Sequence, residues 1–156
     1  MKPLYKTVFI LSCGFVSACG TQHVYPGDPR EAHELSILSE QIYFFSSTEV
    51  LAIDGTSVDF WKDRFAFLPG PHVVEGRISH ARFCLEFESV PNGRYELHGN
   101  DAGDFLSWLR DEVWWMWIED EESGVIVATS REKTSEEIMD EHRQPAAACE
   151  SAGSAS

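Results

Sequence analysis

The sequence lacks an apolar run long enough to cross a membrane as a helix, which needs about 20 consecutive apolar residues. Its two most apolar stretches fall short of that length. Residues 8–16 are interrupted by three small residues, and residues 114–118 lie between Glu112 and Glu119. We therefore predict no transmembrane span.

Positive charge is also scarce: 12 Lys and Arg residues stand against 26 Asp and Glu residues, for a formal net charge of −14. No basic cluster and no RNA-type aromatic motif offsets this excess. An acidic surface repels phosphate backbones, so we predict no nucleic-acid partner. It also disfavours adsorption to anionic lipid. Ten Phe, five Trp and four Tyr nevertheless indicate a folded domain rather than a disordered acidic chain.

The patterns that usually carry catalysis or bind metal are missing from the sequence. It has no Gly-x-Ser-x-Gly elbow, and its six histidines show neither His-x-His nor i, i+4 spacing. His72 and His80 would share a strand face, but Gly76 between them suggests a kink or bulge. The acids at 120–122 lack the pattern of a calcium loop. We predict no catalytic residue, no metal site and no cofactor, and we interpret His72 as a structural residue beside a turn.

The amino terminus has the layout of a secretory signal. Lys2 and Lys6 precede the apolar stretch, small residues follow, and no acid occurs before Cys19. The motif Val16-Ser17-Ala18-Cys19 resembles the lipobox of bacterial lipoproteins. This resemblance implies that residues 1–18 are a signal peptide and that Cys19 receives a diacylglycerol, with cleavage before it.

Membership of that family implies attachment to a membrane of the bacterial envelope through acyl chains on Cys19. Gly20 follows the cysteine, instead of the Asp that many inner-membrane lipoproteins carry, and this favours the outer membrane facing the periplasm. The alternative is an ordinary secretory cut nearby, with Cys19 as an incidental thiol.

Only two cysteines remain once Cys13 is removed with the leader and Cys19 is modified. Cys84 and Cys149 can form a disulfide in an oxidising compartment. The alternative is a reactive or metal-binding thiol, but Cys84 lies in an apolar run, which favours an inert or paired thiol.

The remaining chain divides into three parts by composition. Residues 19–34, rich in Pro and Gly, are predicted to be a tether, residues 35–131 a β-domain, and residues 132–156 an acidic helix followed by a disordered tail. The predicted strands cover 42–45, 50–53, 81–88, 94–98, 113–119 and 125–129, with a helical turn at 104–109 and a helix at 134–142. Short strands and frequent turns predict a mainly β fold, either a small antiparallel sandwich or a partly open barrel.

One part of the β-domain is similar to a known module. Residues 50–55, with their Asp-Gly turn, and residues 68–74, with Pro-Gly-x-His, resemble the repeated unit of PEGA-type surface modules. Cys84, Gly93-Arg94-Tyr95 and the hairpin at 120–124 follow in an order similar to that of uncharacterised envelope lipoproteins. Residues 59–62 depart from the PEGA pattern. The resemblance implies a small envelope β-domain and no known catalysis.

A cluster of tryptophans carries the main functional hypothesis. On a strand, Trp115 and Trp117 face one side and Trp114, Met116 and Ile118 face the other. Either both faces are covered, or one is buried and the other binds a partner, such as another envelope protein or a glycan. We thus expect a non-enzymatic binding or structural module. The alternative is a small-ligand-binding or hydrolytic protein that uses a cleft between strands.

Overall fold

The computed structural model describes residues 20–41, 48–78, 80–100, 113–143 and 149. Several predicted features lie outside these residues. They are the signal peptide at 1–18, the modified Cys19, the apolar run at 42–45, the helical turn at 104–109, and the tail at 145–156 apart from Cys149.

The predicted mainly β fold is confirmed. The strands are β1 (Gln22–His23), β2 (Ser36–Glu40), β3 (Thr48–Ile53), β4 (Thr56–Ser57), β5 (Arg64–Phe67), β6 (Gly70–Ile78), β7 (Ala81–Ser89), β8 (Arg94–Gly99), β9 (Val113–Trp114), β10 (Met116–Asp120), β11 (Ile126–Thr129) and β12 (Lys133–Thr134). Within the same described ranges, a 3₁₀ turn spans Ala32–Glu34 and an α-helix, α1, spans Ser135–Arg143.

The strands form two main sheets that pack face to face. The larger sheet has the order β1-β5-β2-β8-β10-β11 and the smaller β4-β3-β6-β7, while β9 and β12 form a short ribbon. Two pairs in the larger sheet, β1 with β5 and β2 with β8, are parallel, and the other pairings are antiparallel. Parallel neighbours require a long crossover, which the intervening strands supply. Within the described ranges, neither sheet closes into a barrel.

The core lies between the two sheets and is filled by large apolar side chains. In β7, Phe83, Leu85 and Phe87 point inward while the alternate residues are exposed, as the period of two predicts. The fully buried residues opposite them include Phe65, Phe67, Leu97, Met116 and Ile118. Each such side chain stabilises the fold by about 1.5–3 kcal/mol.

Of the kink or bulge predicted at Gly76, the structure shows a bulge-type register shift. Gly76 keeps regular pairing with Phe83 on β7. The shift lies on its other side, in β3, between Val50, which pairs with Gly76, and Ala52, which pairs with Glu75. A Cβ on Gly76 would lie 2.7 Å from Cε of Met116, which is closer than atoms in contact can approach. A larger residue at this position would therefore require the Met116 side chain to shift.

The turn at Asp54-Gly55 has the predicted conformation, with φ of 51° at Asp54 and 74° at Gly55. Positive φ at both central residues matches the right-handed twist of the strands that they join. Few residues other than Asn, Asp and Gly tolerate positive φ, so the Asp-Gly pair in the sequence is a specific indicator of this turn.

Both ends of the chain contribute to the sheets. Within the segment predicted as a tether, Gln22 and His23 pair with Phe65 and Ala66, and Val24 packs against the core. At the other end, β12 pairs with β9 before α1 begins. No helix in the described part of the chain is long and apolar enough to span a membrane.

The predicted C-terminal helix is present and begins with a reciprocal cap. Thr134 N–H donates to Glu137 Oε2 at 2.8 Å, and Glu137 N–H donates to Thr134 Oγ1 at 3.4 Å. Ile138 anchors the helix by packing against the core.

Candidate functional site

Buried and half-buried side chains alternate along the five-residue run at 114–118, which begins in β9, leaves the strand at Trp115 and continues in β10 of the larger sheet. Trp114, Met116 and Ile118 are buried in the core, whereas Trp115 and Trp117 are half-buried on the outer face. The structure thus has one core-facing side and one outward-facing aromatic side. We call the outward surface formed by Trp115, Trp117, His98, Glu96 and Glu119 the tryptophan face.

Asn100 holds Trp115 at a break between β9 and β10. Its side chain accepts the Trp115 N–H at 2.9 Å and donates to the Val113 carbonyl at 2.7 Å. Its own backbone N–H donates to the Trp115 carbonyl at 3.2 Å. The predicted strand at 113–119 is therefore divided at Trp115, and β9 and β10 pair with different strands. These three bonds fix the backbone that carries the first exposed indole.

Trp117 forms a flat aromatic pair with His98, its direct neighbour on β8. The ring centroids are 5.2 Å apart, and the planes differ by only 7°. His98 Nδ1 lies 2.8 Å from Gln41 Oε1, which orients the imidazole. Stacking against a fixed ring limits the motion of the indole and leaves a preformed platform.

Two glutamates flank the stacked pair of Trp117 and His98. His98 Nε2 lies 3.4 Å from Glu96 Oε2 and 3.9 Å from Glu119 Oε2, and both glutamates are partly exposed. About a third of each glutamate side chain is exposed, 36% for Glu96 and 35% for Glu119, so the face presents negative charge beside an aromatic surface. Such a surface attracts a cationic side chain, which gains from both the aromatic ring and the carboxylates.

An apolar strip borders the tryptophan face on the edge strand β11. Val125, Ile126 and Val127 are all exposed, and Thr129 lies directly opposite Trp117. Contiguous exposed apolar side chains on a sheet edge are typical of interaction surfaces. The tryptophan face is thus continuous with a surface that a partner could also cover.

His72 and His80 are not brought together. His72 is buried beside the rings of Phe67 and Phe87 near the start of β6, whereas His80 is exposed at the turn beyond the other end of that strand. The described residues contain no group of three or more His, Cys, Asp or Glu side chains that could hold a metal ion.

The surroundings of His72 give it a structural role. Its Nδ1 lies 2.6 Å from Asp54 Oδ2, and its Nε2 lies 2.6 Å from the Leu68 carbonyl. Each ring nitrogen of His72 therefore lies within hydrogen-bonding distance of an oxygen atom. Asp54 Oδ1 also accepts the Val73 N–H at 2.9 Å. His72 therefore ties the Asp54-Gly55 turn to the start of β6.

Cys84 and Cys149 are joined as a disulfide, with their Cα atoms 5.9 Å apart. The bond places Cys149 on the outer face of the smaller sheet, at the rim of an open groove of about 640 Å³. Polar groups in this groove bind one another: Arg82 pairs with Glu75 at 3.1 Å, and Asp54 pairs with His72. The charged side chains of the groove are thus engaged in pairs with other protein groups.

Glu40 is a titratable group that sequence reasoning did not single out. It closes β2, and its Oε1 accepts the Val50 N–H at 2.6 Å, next to the irregularity in β3. Burial raises its pKa from the ordinary value of 4.5 to about 7, with Glu49 and Asp63 adding to the rise and the Val50 hydrogen bond opposing it. Glu40 therefore links the end of β2 in the larger sheet to β3 in the smaller sheet.

The acidic hairpin after β10 is a self-contained turn. Asp120 Oδ1 accepts both the backbone N–H and the hydroxyl of Ser123, each at 2.7 Å. These bonds hold the pKa of Asp120 below its ordinary value. The Asp120 carboxylate therefore forms its hydrogen bonds within the hairpin turn.

No protein-family model, no curated protein and no solved structure matches the chain. The similarities to bacterial lipoproteins and to PEGA-type modules therefore stay predictions that rest on the residues quoted for them.

Proposed function

We propose that this protein is a lipid-anchored, non-enzymatic binding module of the bacterial envelope, attached through acyl chains on Cys19, in the outer membrane facing the periplasm. Its β-domain binds another envelope component through the tryptophan face. The observation that carries the proposal is the outward placement of Trp115 and Trp117 on a sheet whose other face is the core.

The position of the tryptophan face is compatible with an anchor at the other edge of the sheet. The chain enters the domain at β1, and β10 is four strands away in the same sheet. At about 4.8 Å per strand, the separation is roughly 19 Å. A partner can therefore reach Trp117 while Cys19 holds the domain at the membrane.

The chemistry of the tryptophan face favours a protein partner with exposed basic residues. Glu96 and Glu119 supply negative charge beside the Trp117 ring, and the chain as a whole carries a net charge of −14. Complementary charge speeds the association of two proteins and orients them. An aromatic ring that becomes buried in the complex supplies most of the affinity. A glycan that stacks on the indole is the other candidate occupant.

A small ligand or a hydrolytic substrate in the groove beside the disulfide is the second candidate. Its support is the size of the groove, about 640 Å³, which lies in the usual range for small-molecule sites. The mutual pairing of Arg82 with Glu75 and the separation of His72 from His80 weaken this alternative.

The experiment that tests the proposal is crosslinking in cells, followed by purification from detergent-solubilised envelopes. Wild type is compared with Cys19→Ser, Trp117→Ala and Met139→Ala, the last being a control because Met139 is exposed on α1, outside the tryptophan face. We expect a discrete partner with wild type and Met139→Ala. Its recovery should fall at least about 10-fold with Trp117→Ala, as for a central aromatic of an interface.

Each part of the proposal has its own contrary outcome. Equal recovery of the partner with Trp117→Ala would overturn the role of the tryptophan face. A wild type that is released from membranes as readily as Cys19→Ser would overturn the anchor.

A further inference from the structure

The start of the described chain lies against a short turn that precedes β5. Asp59 N–H donates to the Gln22 side chain at 2.7 Å, which ties the turn to β1. A Cβ added to Gly20 would lie 3.1 Å from Lys62 Nζ. The residue that follows Cys19 in the sequence is therefore in contact with the turn at 59–62.

This turn carries the two most exposed aromatic side chains among the described residues. Phe60 is 65% exposed and Trp61 is 83% exposed, and their rings meet edge to face with centroids 5.3 Å apart. Asp59 holds the turn, since its carboxylate accepts the Trp61 N–H at 3.1 Å and its carbonyl accepts the Lys62 N–H at 3.0 Å. The two rings are thus presented to the surroundings by an ordered turn.

The proposed anchor point is next to this contact in the sequence. Cys19 directly precedes Gly20, the residue that lies against Lys62. Acyl chains on Cys19 would therefore tether the domain through the residue that contacts the turn. An exposed Trp-Phe pair next to that point matches the preference of aromatic side chains for the interface between lipid and water.

The charge around the turn permits approach to a membrane. Asp59 and Asp63 are balanced by Lys62 and Arg64 in the same segment, although the chain as a whole is strongly acidic. Anionic lipid repels most of the surface of the domain, but not this locally neutral patch.

We propose that the turn at 59–62 is a second membrane contact, in which Phe60 and Trp61 insert into the headgroup region beside the acyl chains of Cys19. This inference rests on the proposed lipid anchor. The occupant is the lipid surface of the membrane that holds those chains. The contact fixes the orientation of the domain, with β1 and β5 toward the membrane and β10 and β11 away from it.

The test uses the full-length, lipid-modified protein reconstituted into vesicles of phosphatidylethanolamine and phosphatidylglycerol. With Cys84 and Cys149 bonded and Cys19 acylated, an introduced cysteine is the reactive thiol. Trp61→Cys is labelled with bimane, and Ile126→Cys is the control because it is 55% exposed on β11, at the opposite edge of the sheet. The probe is quenching by lipids that carry a nitroxide at the headgroup.

We expect the label at position 61 to be quenched by the nitroxide lipid and shielded from aqueous iodide at least 3-fold more than the label at position 126. Equal quenching and equal iodide access at the two positions would overturn the membrane contact. Both side chains are exposed, so neither substitution removes core packing, and Phe60→Cys provides a second reporter.

Two measurements distinguish failure of the lipid anchor from failure of the membrane contact at 59–62. They are the mass of the amino-terminal peptide and flotation of the protein with the vesicles. A peptide without acyl groups, from a protein that does not float, overturns the proposed anchor and this inference together. An acylated protein that floats, but whose label at position 61 stays accessible to iodide, overturns this inference alone.

Discussion

The indole of Trp117 lies parallel to the imidazole of His98, with the ring centroids 5.2 Å apart and an angle of 7° between the planes. The two residues are directly opposed on β10 and β8, so the strand register brings the rings together. Glu96 and Glu119 then flank the imidazole. Trp117, which the sequence predicts on one outer face of its strand, is therefore held in a fixed orientation by His98.

Replacing both rings tests whether they act as a pair. We expect a double-mutant cycle of Trp117→Ala and His98→Ala to give a coupling free energy of about 0.5–1.5 kcal/mol, the usual range for stacked rings. The measurement is urea unfolding of wild type, the two single variants and the double variant. A cycle of Trp117→Ala with His80→Ala is the matched control, and additivity in both cycles would contradict the pairing.

The carboxyl group of Glu40 should make the stability depend on pH. Its pKa is about 7 in the folded protein and 4.5 ordinarily, so the native state binds the proton more tightly. The resulting stabilisation is complete below pH 4.5 and is lost as the pH rises through 7. Since the side chain is only partly buried, screening by water reduces the loss to about 1–2 kcal/mol.

Glu40→Gln should remove this dependence, because the amide keeps an acceptor for the Val50 N–H without a charge. We expect the variant to be more stable than wild type at pH 8 and similar to it at pH 4.5, as measured by urea unfolding at both values. Glu88→Gln, an exposed residue on β7, is the control. The raised pKa would be contradicted if the unfolding free energies of wild type and Glu40→Gln differed by the same amount at both pH values.

Several elements of the fold follow from local sequence signals. The alternation around Phe83, Leu85 and Phe87 predicts β7, and the Asp54-Gly55 pair predicts its turn. Asp, Asn and Gly signals are strong because few residues tolerate positive φ. These elements are specified by neighbours in the chain, so the sequence alone predicts them.

Strand β2 was missed because its core-facing positions include polar residues. Ser36 is fully buried, and its hydroxyl lies 2.8 Å from the Val90 carbonyl and 3.0 Å from Ser89 Oγ. Those partners are more than 50 residues away in the chain, so no local pattern reveals that the serine is satisfied. The break at Trp115 escaped prediction for a similar reason, because Asn100 causes it.

The Cys84–Cys149 bond should contribute strongly to stability. It closes a loop with a sequence separation of 65, and loop-closure entropy for such a length corresponds to about 4 kcal/mol, of which about 2–4 kcal/mol is usually measured. We expect the Cys84→Ser/Cys149→Ser double variant to lose this amount in urea unfolding. Reducing the wild type should have the same effect, and an unchanged midpoint in both cases would contradict the contribution.

Asp54 should stabilise the fold through its charge as well as through its turn conformation. Asp54→Asn keeps a residue that tolerates positive φ but weakens the hydrogen bond to the His72 ring, so we expect a loss of about 1–3 kcal/mol. Asp54→Ala should cost more, because it also removes the acceptor for the Val73 N–H. Equal unfolding free energies for the two variants would exclude a separate contribution from that acceptor.

The measurement that tests the central claim most directly is site-specific photocrosslinking in intact cells. A benzophenone amino acid replaces Trp117, and in a matched control it replaces Met139, which is exposed on α1. Binding through the tryptophan face predicts a discrete adduct with another envelope component from position 117 and none of that size from position 139. The same adducts from both positions, or none from position 117 in a membrane-attached protein, would contradict the claim.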